Sequence, residues 1–266
     1  MTPVSLAPSI VARPAGPPSF LTATFEVARR VLRKFVRTPG LWAMAVVQSA
    51  LFLFSFRYVF GGAIHTGASA YVDFLVPGYV ATLVLFAGGG TAVAVAEDRA
   101  QGFTDRLLSL PISRHAIATG RILADFVTTT WAIAGTVAFG FLIGFRLHGA
   151  GGAVHGLAGL ALCLLYGLVF TAVFAVIGLV ARNAQAAQGM SMIAFVLAFF
   201  SSTYVPVASM PGWLQPFAKY QPITPMVDAV RSLLVSSTSD LVLALVWSGA
   251  ILLVFTPLAA LLYRRG

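Results

Sequence analysis

The chain has 266 residues, of which 59% are hydrophobic and only 9% charged, with a net charge of +9, whereas soluble domains run at about 45–50% apolar and about 25% charged. That balance excludes an ordinary water-soluble domain. It also excludes a nucleic-acid-binding stripe, because the lysines and arginines collect between apolar runs, where they set membrane topology.

In chain order, residues 1–19 hold five prolines and lack both a basic n-region and an apolar h-region. A cleaved signal peptide is therefore not expected, and the segment reads as a disordered cytoplasmic lead-in. Residues 20–38 form the first element, an amphipathic helix lying in the inner interface. At about 100° per residue, Phe20, Leu21, Phe25, Val27, Ala28, Val31, Leu32, Phe35 and Val36 share one half of its circumference, and Glu26, Arg29, Arg30, Arg33, Lys34 and Arg37 occupy the other. Pro39-Gly40 separates this helix from the next element.

Six segments are apolar enough and close to the roughly 20 residues that a bilayer-spanning helix needs: 41–60, 74–96, 122–144, 153–180, 189–208 and 241–263. The expected fold is all-α and polytopic, and six spans place both termini on one side. Thirteen of the 17 Lys and Arg residues fall on that side, leaving Arg57, Arg146, Lys219 and Arg231 on the other. The positive-inside rule makes the termini cytoplasmic.

Two connections are unlike ordinary linkers. The inner loop 97–121 mixes acids and bases, and Phe103, Leu107 and Leu110 fall on one face of a short helix ended by Pro111. Such a helix suits a groove on a cytoplasmic partner. The outer segment 206–235 carries Pro206, Pro211, Pro216, Pro222 and Pro225 among Val, Met, Trp, Phe and Leu. It is too broken to span and too apolar for a solvated loop, so it is expected to dip into the membrane as short re-entrant helices, with Trp213 and Tyr220 at headgroup depth.

These residues carry a resemblance. Pro77-Gly78-Tyr79, Glu97-Asp98-Arg99 with Gly102, and Leu107-Leu108-Ser109-Leu110-Pro111 are followed by Pro206-Val207-Ala208-Ser209-Met210-Pro211-Gly212-Trp213, Gln221-Pro222-Ile223-Thr224-Pro225 and Ala229-Val230-Arg231. In order and spacing they resemble the permeases of ABC-2-type exporters, with most likeness to the daunorubicin-resistance-type drug exporters of actinobacteria. The resemblance implies a multi-pass protein of the bacterial plasma membrane that works as a dimer, with a second copy or a sister permease. It further implies a cytoplasmic ABC ATPase subunit that meets the interfacial helix through Arg29 and Arg33 and the loop helix through Phe103, Asp105, Arg106, Leu107 and Leu110.

The chain itself offers no catalytic or metal centre. Lys34 and Lys219 are its only lysines and neither follows a glycine, so the Walker A loop GxxxxGK[ST] is absent. The chain is therefore read as a non-enzymatic permease without a cofactor of its own, Mg-ATP belonging to the partner subunit. Gly88-Gly89-Gly90 lies in an apolar run and reads as a helix-packing site. Cys163 is the single cysteine, which excludes an intrachain disulfide.

Mid-membrane positions supply aromatics and small polar groups, namely Gln48, Phe52, Tyr79, Phe86, Phe195, Phe199 and Ser202. They are the candidate lining of a pathway for a drug, polyketide or lipid, with helix packing as the alternative role. Charges near spans, such as Arg57, Asp73 and Asp125, stand close to span ends, where they can snorkel. An ion-gradient carrier, which places ionisable groups deep in the membrane, and a non-transporting scaffold are the rival readings.

Overall fold

The computed structural model describes residues 19–62, 64, 70–101, 114–146, 153–235 and 241–265, and among them no residue is in a strand. The lead-in and the centre of the inner loop, with Phe103, Asp105, Arg106, Leu107 and Leu110, lie outside the described residues.

Helix α1 (Phe20–Arg37) starts where the Ser19 hydroxyl accepts the Thr22 N–H at 3.2 Å, an N-cap that satisfies one of the helix's orphan donors. It stops at Thr38 because Pro39 follows. Proline is suited to the first position of a helix, and α2 (Pro39–Ser55) begins on it, then continues through a π-helical turn, Phe56–Phe60. The remaining described helices are α3 (Tyr71–Ala100), α4 (Arg114–Leu142), α5 (Ala153–Val180), α6 (Ala184–Phe199), α7 (Gln215–Tyr220), α8 (Ile223–Leu234) and α9 (Leu241–Arg265).

The all-α expectation holds, and α3, α4, α5 and α9 are long and apolar enough to cross a bilayer. Helix α6 is not. Its 16 residues rise about 24 Å, against a hydrocarbon core of about 30 Å. The fifth apolar stretch, expected to run straight from 189 to 208, is helical from Ala184 and leaves the helix at Phe200. Segment 206–235 is built of a 3-10 turn, Val207–Ser209, and the short helices α7 and α8.

Helix α3 is central and packs on α4, α5, α6 and α8. Small residues set these distances, since in lipid close backbone approach replaces much of the hydrophobic driving force. A Cβ on Gly88 would sit 2.2 Å from the Phe174 ring, and one on Gly178 of α5 would sit 2.5 Å from the Ala92 carbonyl oxygen. The two helices thus interlock in both directions. Gly89 faces Ser191 of α6 at 3.6 Å, whereas nothing lies within 4 Å of a Cβ on Gly90. The Gly-rich run is a packing surface on two of its three residues.

Candidate functional site

A connected row of aromatic rings links α2, α3 and α6. Phe86 of α3 meets Phe195 of α6 at a centroid separation of 5.3 Å, Phe195 meets Phe199 at 4.8 Å, and Phe199 meets Tyr204 at 5.0 Å. Tyr204 then meets Phe52 of α2 and Phe56 of the π-helical turn at 5.4 and 5.0 Å, and Phe52 stacks on Tyr79 at 5.1 Å. Separations of 4.5–7 Å are those of favourable aromatic pairs. The row starts partly exposed at Phe195 and Phe199 and becomes buried at Tyr79 and Tyr204. The Tyr79 hydroxyl donates to Ser49 at 3.4 Å, while the buried Tyr204 hydroxyl faces Thr82.

The row depends on a break in the backbone. Residues 200–205 follow α6 without helical geometry, and irregular backbone at membrane depth persists only where its polar groups find partners in the protein. Here side chains supply many of them. Gln221 Nε2 donates to the carbonyls of Leu197 at 3.1 Å and Phe200 at 2.5 Å, and the Thr224 hydroxyl accepts the Ser202 N–H at 3.1 Å. Tyr71 donates to the Tyr204 carbonyl at 3.0 Å.

Arg231 of α8 ties these parts together. Nη2 donates to the Ser202 carbonyl at 2.8 Å, Nε to the Phe74 carbonyl at 3.2 Å and Nη1 to Asp228 Oδ1 at 2.6 Å. Asp228 also accepts from the Ser202 hydroxyl at 2.7 Å. Asp228 stands beside the Arg231 guanidinium as its counter-charge, and an arginine stays cationic at neutral pH. Gly78 makes room for the assembly, as a Cβ there would stand 2.5 Å from the Thr203 carbonyl oxygen and 3.0 Å from Arg231 Nη2. Pro77 beside it removes the N–H that would otherwise reach the Asp73 carbonyl, and Arg231 reaches the next carbonyl, that of Phe74.

At the opposite end, α1 packs along α4. Ala23, Thr24 and Ala28 are buried, and Gly120 of α4 lies so close that a Cβ on it would stand 2.6 Å from the Thr24 carbonyl oxygen and 2.8 Å from Val27 Cβ. The apolar half of the helix is therefore two surfaces. One is covered by α4, and the other presents Leu21, Phe25 and Val36, which are 76%, 60% and 70% exposed. Arg29 and Arg33 lie on the exposed charged face, and Arg29 pairs with Glu26 at 3.4 Å. At the C-terminal ends of α3 and α5, Arg99 donates to the Leu179 carbonyl.

Of the residues picked from sequence for the pathway, the structure brings Phe52, Tyr79, Phe86, Phe195 and Phe199 into the aromatic row. Gln48 stands one turn before Phe52 and is exposed. Ser202 is buried and its hydroxyl is committed to Asp228. Sequence reasoning passed over Tyr204, which closes the row, and Asp228 and Arg231, which hold the break. A usable signal existed for Arg231 alone, as an arginine within a segment too apolar to be a solvated loop.

Comparison with known proteins bears directly on this arrangement. The ABC-2 type transporter family matches residues 22–235, a stretch that includes α1, the aromatic row and the Arg231 assembly. A daunorubicin resistance ABC transporter permease protein from Streptomyces coeruleorubidus is 32% identical over 249 residues, covering 92% of this chain and 87% of that protein. A permease named for doxorubicin resistance from Mycobacterium tuberculosis is 26% identical over 255 residues, covering 92% of this chain and 90% of its own length. A transport permease of Cyanophora paradoxa is 24% identical over 219 residues, covering 80% and 74%. With its apolar helices packed around α3 and the family match running from the amphipathic helix through α8, the chain belongs to the ABC-2 type transporter family and is a multi-pass membrane permease subunit of an ABC exporter.

Proposed function

We propose that this permease carries a hydrophobic or amphipathic molecule, a drug, polyketide or lipid, out of the cytoplasm or the inner leaflet. Its power comes from a separate cytoplasmic ABC ATPase that holds Mg-ATP. The observation that carries the cargo class is the aromatic row from Phe86 through Phe195, Phe199 and Tyr204 to Phe52 and Tyr79. Polarizable rings that are partly exposed at Phe195 and Phe199 offer stacking surface, which suits an amphipathic ring system and not a hydrated ion. Two relatives are named for resistance to daunorubicin and doxorubicin, which supports the same class.

In this reading α2 with its π-helical turn, and α6 together with the stretch 200–205, complete a set of six spans with both termini cytoplasmic, α7 and α8 are the re-entrant outer helices, and two permeases pair around the pathway. The ATPase engages Arg29 and Arg33 of α1 together with Phe103, Asp105, Arg106, Leu107 and Leu110 of the inner loop. Closure of the ATPase then pushes on α1 and α4 as one body, because the Gly120 crossing leaves no slack between them.

The test is transport in proteoliposomes that hold the permease with its ATPase. ATP-dependent movement of doxorubicin, lost when Phe103→Asp and Leu107→Asp are combined in a chain that still inserts, is the expected result. Movement driven by a proton or sodium gradient in ATP-free vesicles overturns the reading.

A further inference from the structure

Nothing in the local sequence ends α6 at Phe199. The stretch Phe199-Phe200-Ser201-Ser202-Thr203-Tyr204-Val205 holds neither glycine nor proline, and Pro206 would stop a helix only at about the residue before it. The last carbonyls nevertheless find partners other than helical N–H groups. The Ser201 hydroxyl donates to Ala198 at 2.6 Å, and Gln221 Nε2 donates to Leu197 at 3.1 Å and to Phe200 at 2.5 Å. Gln221 is 6% exposed, and since both of these neighbours are carbonyls, only its NH2 can face them. The side-chain oxygen is buried and makes no hydrogen bond among the described residues, so the amide keeps this orientation for its donors alone. Its backbone is held as well. The Gln221 N–H donates to the Phe217 carbonyl at 3.1 Å, and Pro222 confines Gln221 to the extended conformation it has, φ −61° and ψ 152°.

The consequence falls on Tyr204. In an unbroken helix, residues five apart stand about 140° apart around the axis, so Phe199 and Tyr204 would face different ways. With the helix ended, their rings meet at 5.0 Å, and Tyr204 reaches Phe56 at 5.0 Å and Phe52 at 5.4 Å. Among the described ring pairs, Phe199 with Tyr204 is the one that joins Phe86, Phe195 and Phe199 to Phe52, Phe56 and Tyr79. We infer that Gln221 is the positioning residue of the aromatic row: by capping α6 it places Tyr204 against Phe199 and makes one continuous cargo surface of two groups of rings. Gln221 carries no ring and acts through the backbone of α6. The inference rests on the row as the cargo surface of the proposed function, and adds the residue on which the affinity of that surface depends.

The permease alone, in detergent, carries meta-fluorotyrosine in place of Tyr204 or, in a second sample, of the buried Tyr166 of α5, and fluorine NMR reads the surroundings of each ring. Gln221→Leu keeps the bulk and loses the donors. It is expected to move the signal of Tyr204 and to leave that of Tyr166 in place. Gln221→Glu at about pH 5, where burial keeps the carboxyl protonated and able to donate, is expected to return the wild-type signal, a rescue that misfolding cannot imitate. Gln215→Leu, which loses a bond to the Met210 carbonyl instead, leaves both signals unchanged. Doxorubicin, followed by its own fluorescence, is expected to bind Gln221→Leu about tenfold more weakly than wild type, the worth of one to two aromatic pairs. An unmoved Tyr204 signal in Gln221→Leu overturns the inference, and so does equal movement of the Tyr166 signal. A Gln221→Glu signal that matches Gln221→Leu at that pH overturns it too, as does equal doxorubicin affinity of wild type and Gln221→Leu. Wild type that binds no doxorubicin strikes the export reading instead, and the fluorine signals then decide for or against Gln221 by themselves.

Discussion

The guanidinium of Arg231 lies 3.7 Å from the centroid of the Phe74 ring and at the same time donates, through Nε, to the Phe74 carbonyl. One side chain thus grips another residue by both its ring and its backbone, and holds α8 to the N-terminal end of α3. A lysine offers a point charge and cannot repeat the planar fork that also reaches Ser202 and Asp228. Arg231→Lys is expected to lower stability by about 1.5–3 kcal/mol, the range for lost hydrogen bonds to a charged group. Arg231→Ala should cost more. The half-life of monodisperse protein in detergent on heating, read by size exclusion, measures the order wild type, Lys, Ala.

Gly120→Val should separate hydrolysis from transport. Its side chain enters the Thr24 carbonyl and Val27, so α1 must lift from α4, at a cost of about 1–3 kcal/mol typical of overpacking. The expected outcome is a chain that inserts and binds its ATPase, with ATP hydrolysis retained and doxorubicin export reduced at least tenfold. Matched loss of both activities would mean instead that the crossing matters only for assembly.

The consecutive glycines of α3 give an internal comparison. Gly88→Ala meets the Phe174 ring and should destabilise. Gly90→Ala meets nothing within 4 Å and should be neutral or gain about 0.5–1 kcal/mol from the helix preference of alanine over glycine. Expression level and thermal half-life of the two variants decide it.

Tyr204→Phe keeps the ring and removes a buried hydroxyl that faces Thr82. The protein should lose no more than about 0.5–1.5 kcal/mol, the net worth of one hydrogen bond. Export of cargo that needs the phenol should fall severalfold. Phe199→Ala, which opens the middle of the row, should reduce export of every ring-bearing cargo. Transport assayed with two cargoes, one bearing hydrogen-bonding groups and one without them, tells the two effects apart.

Much of the site was legible because residue type and membrane depth carry the information. Phe52, Tyr79, Phe86, Phe195 and Phe199 can be picked from sequence as aromatics near mid-span, and they fall into one row. Tyr204 could not be picked the same way, because its place depends on where α6 ends, and that end is set by partners far along the chain, Gln221, Thr224 and Arg231. Arg231 was counted as a topology charge, since a tally of basic residues assigns sides and is blind to burial. In α1 the helical wheel separates apolar from charged residues correctly, yet it knows nothing of the neighbouring helix. The division of the apolar half between α4 and an open strip needed the Gly120 crossing, where the signal is a residue that has no side chain.

The break at 200–205 differs in kind from the helices around it. A helix kinks sharply only where its own repeating bonds are interrupted, whereas this stretch is held at several points by side chains of α3 and α8 and by Gln221 between α7 and α8. Such links can trade acceptors one at a time, so rotation of α6 against α8 need not unwind either helix. In hydrogen–deuterium exchange the Ser202 amide, held by the Thr224 hydroxyl, should exchange faster than amides in the middle of α3. Its rate should rise further under turnover, as a soft joint between two stiff rods would show.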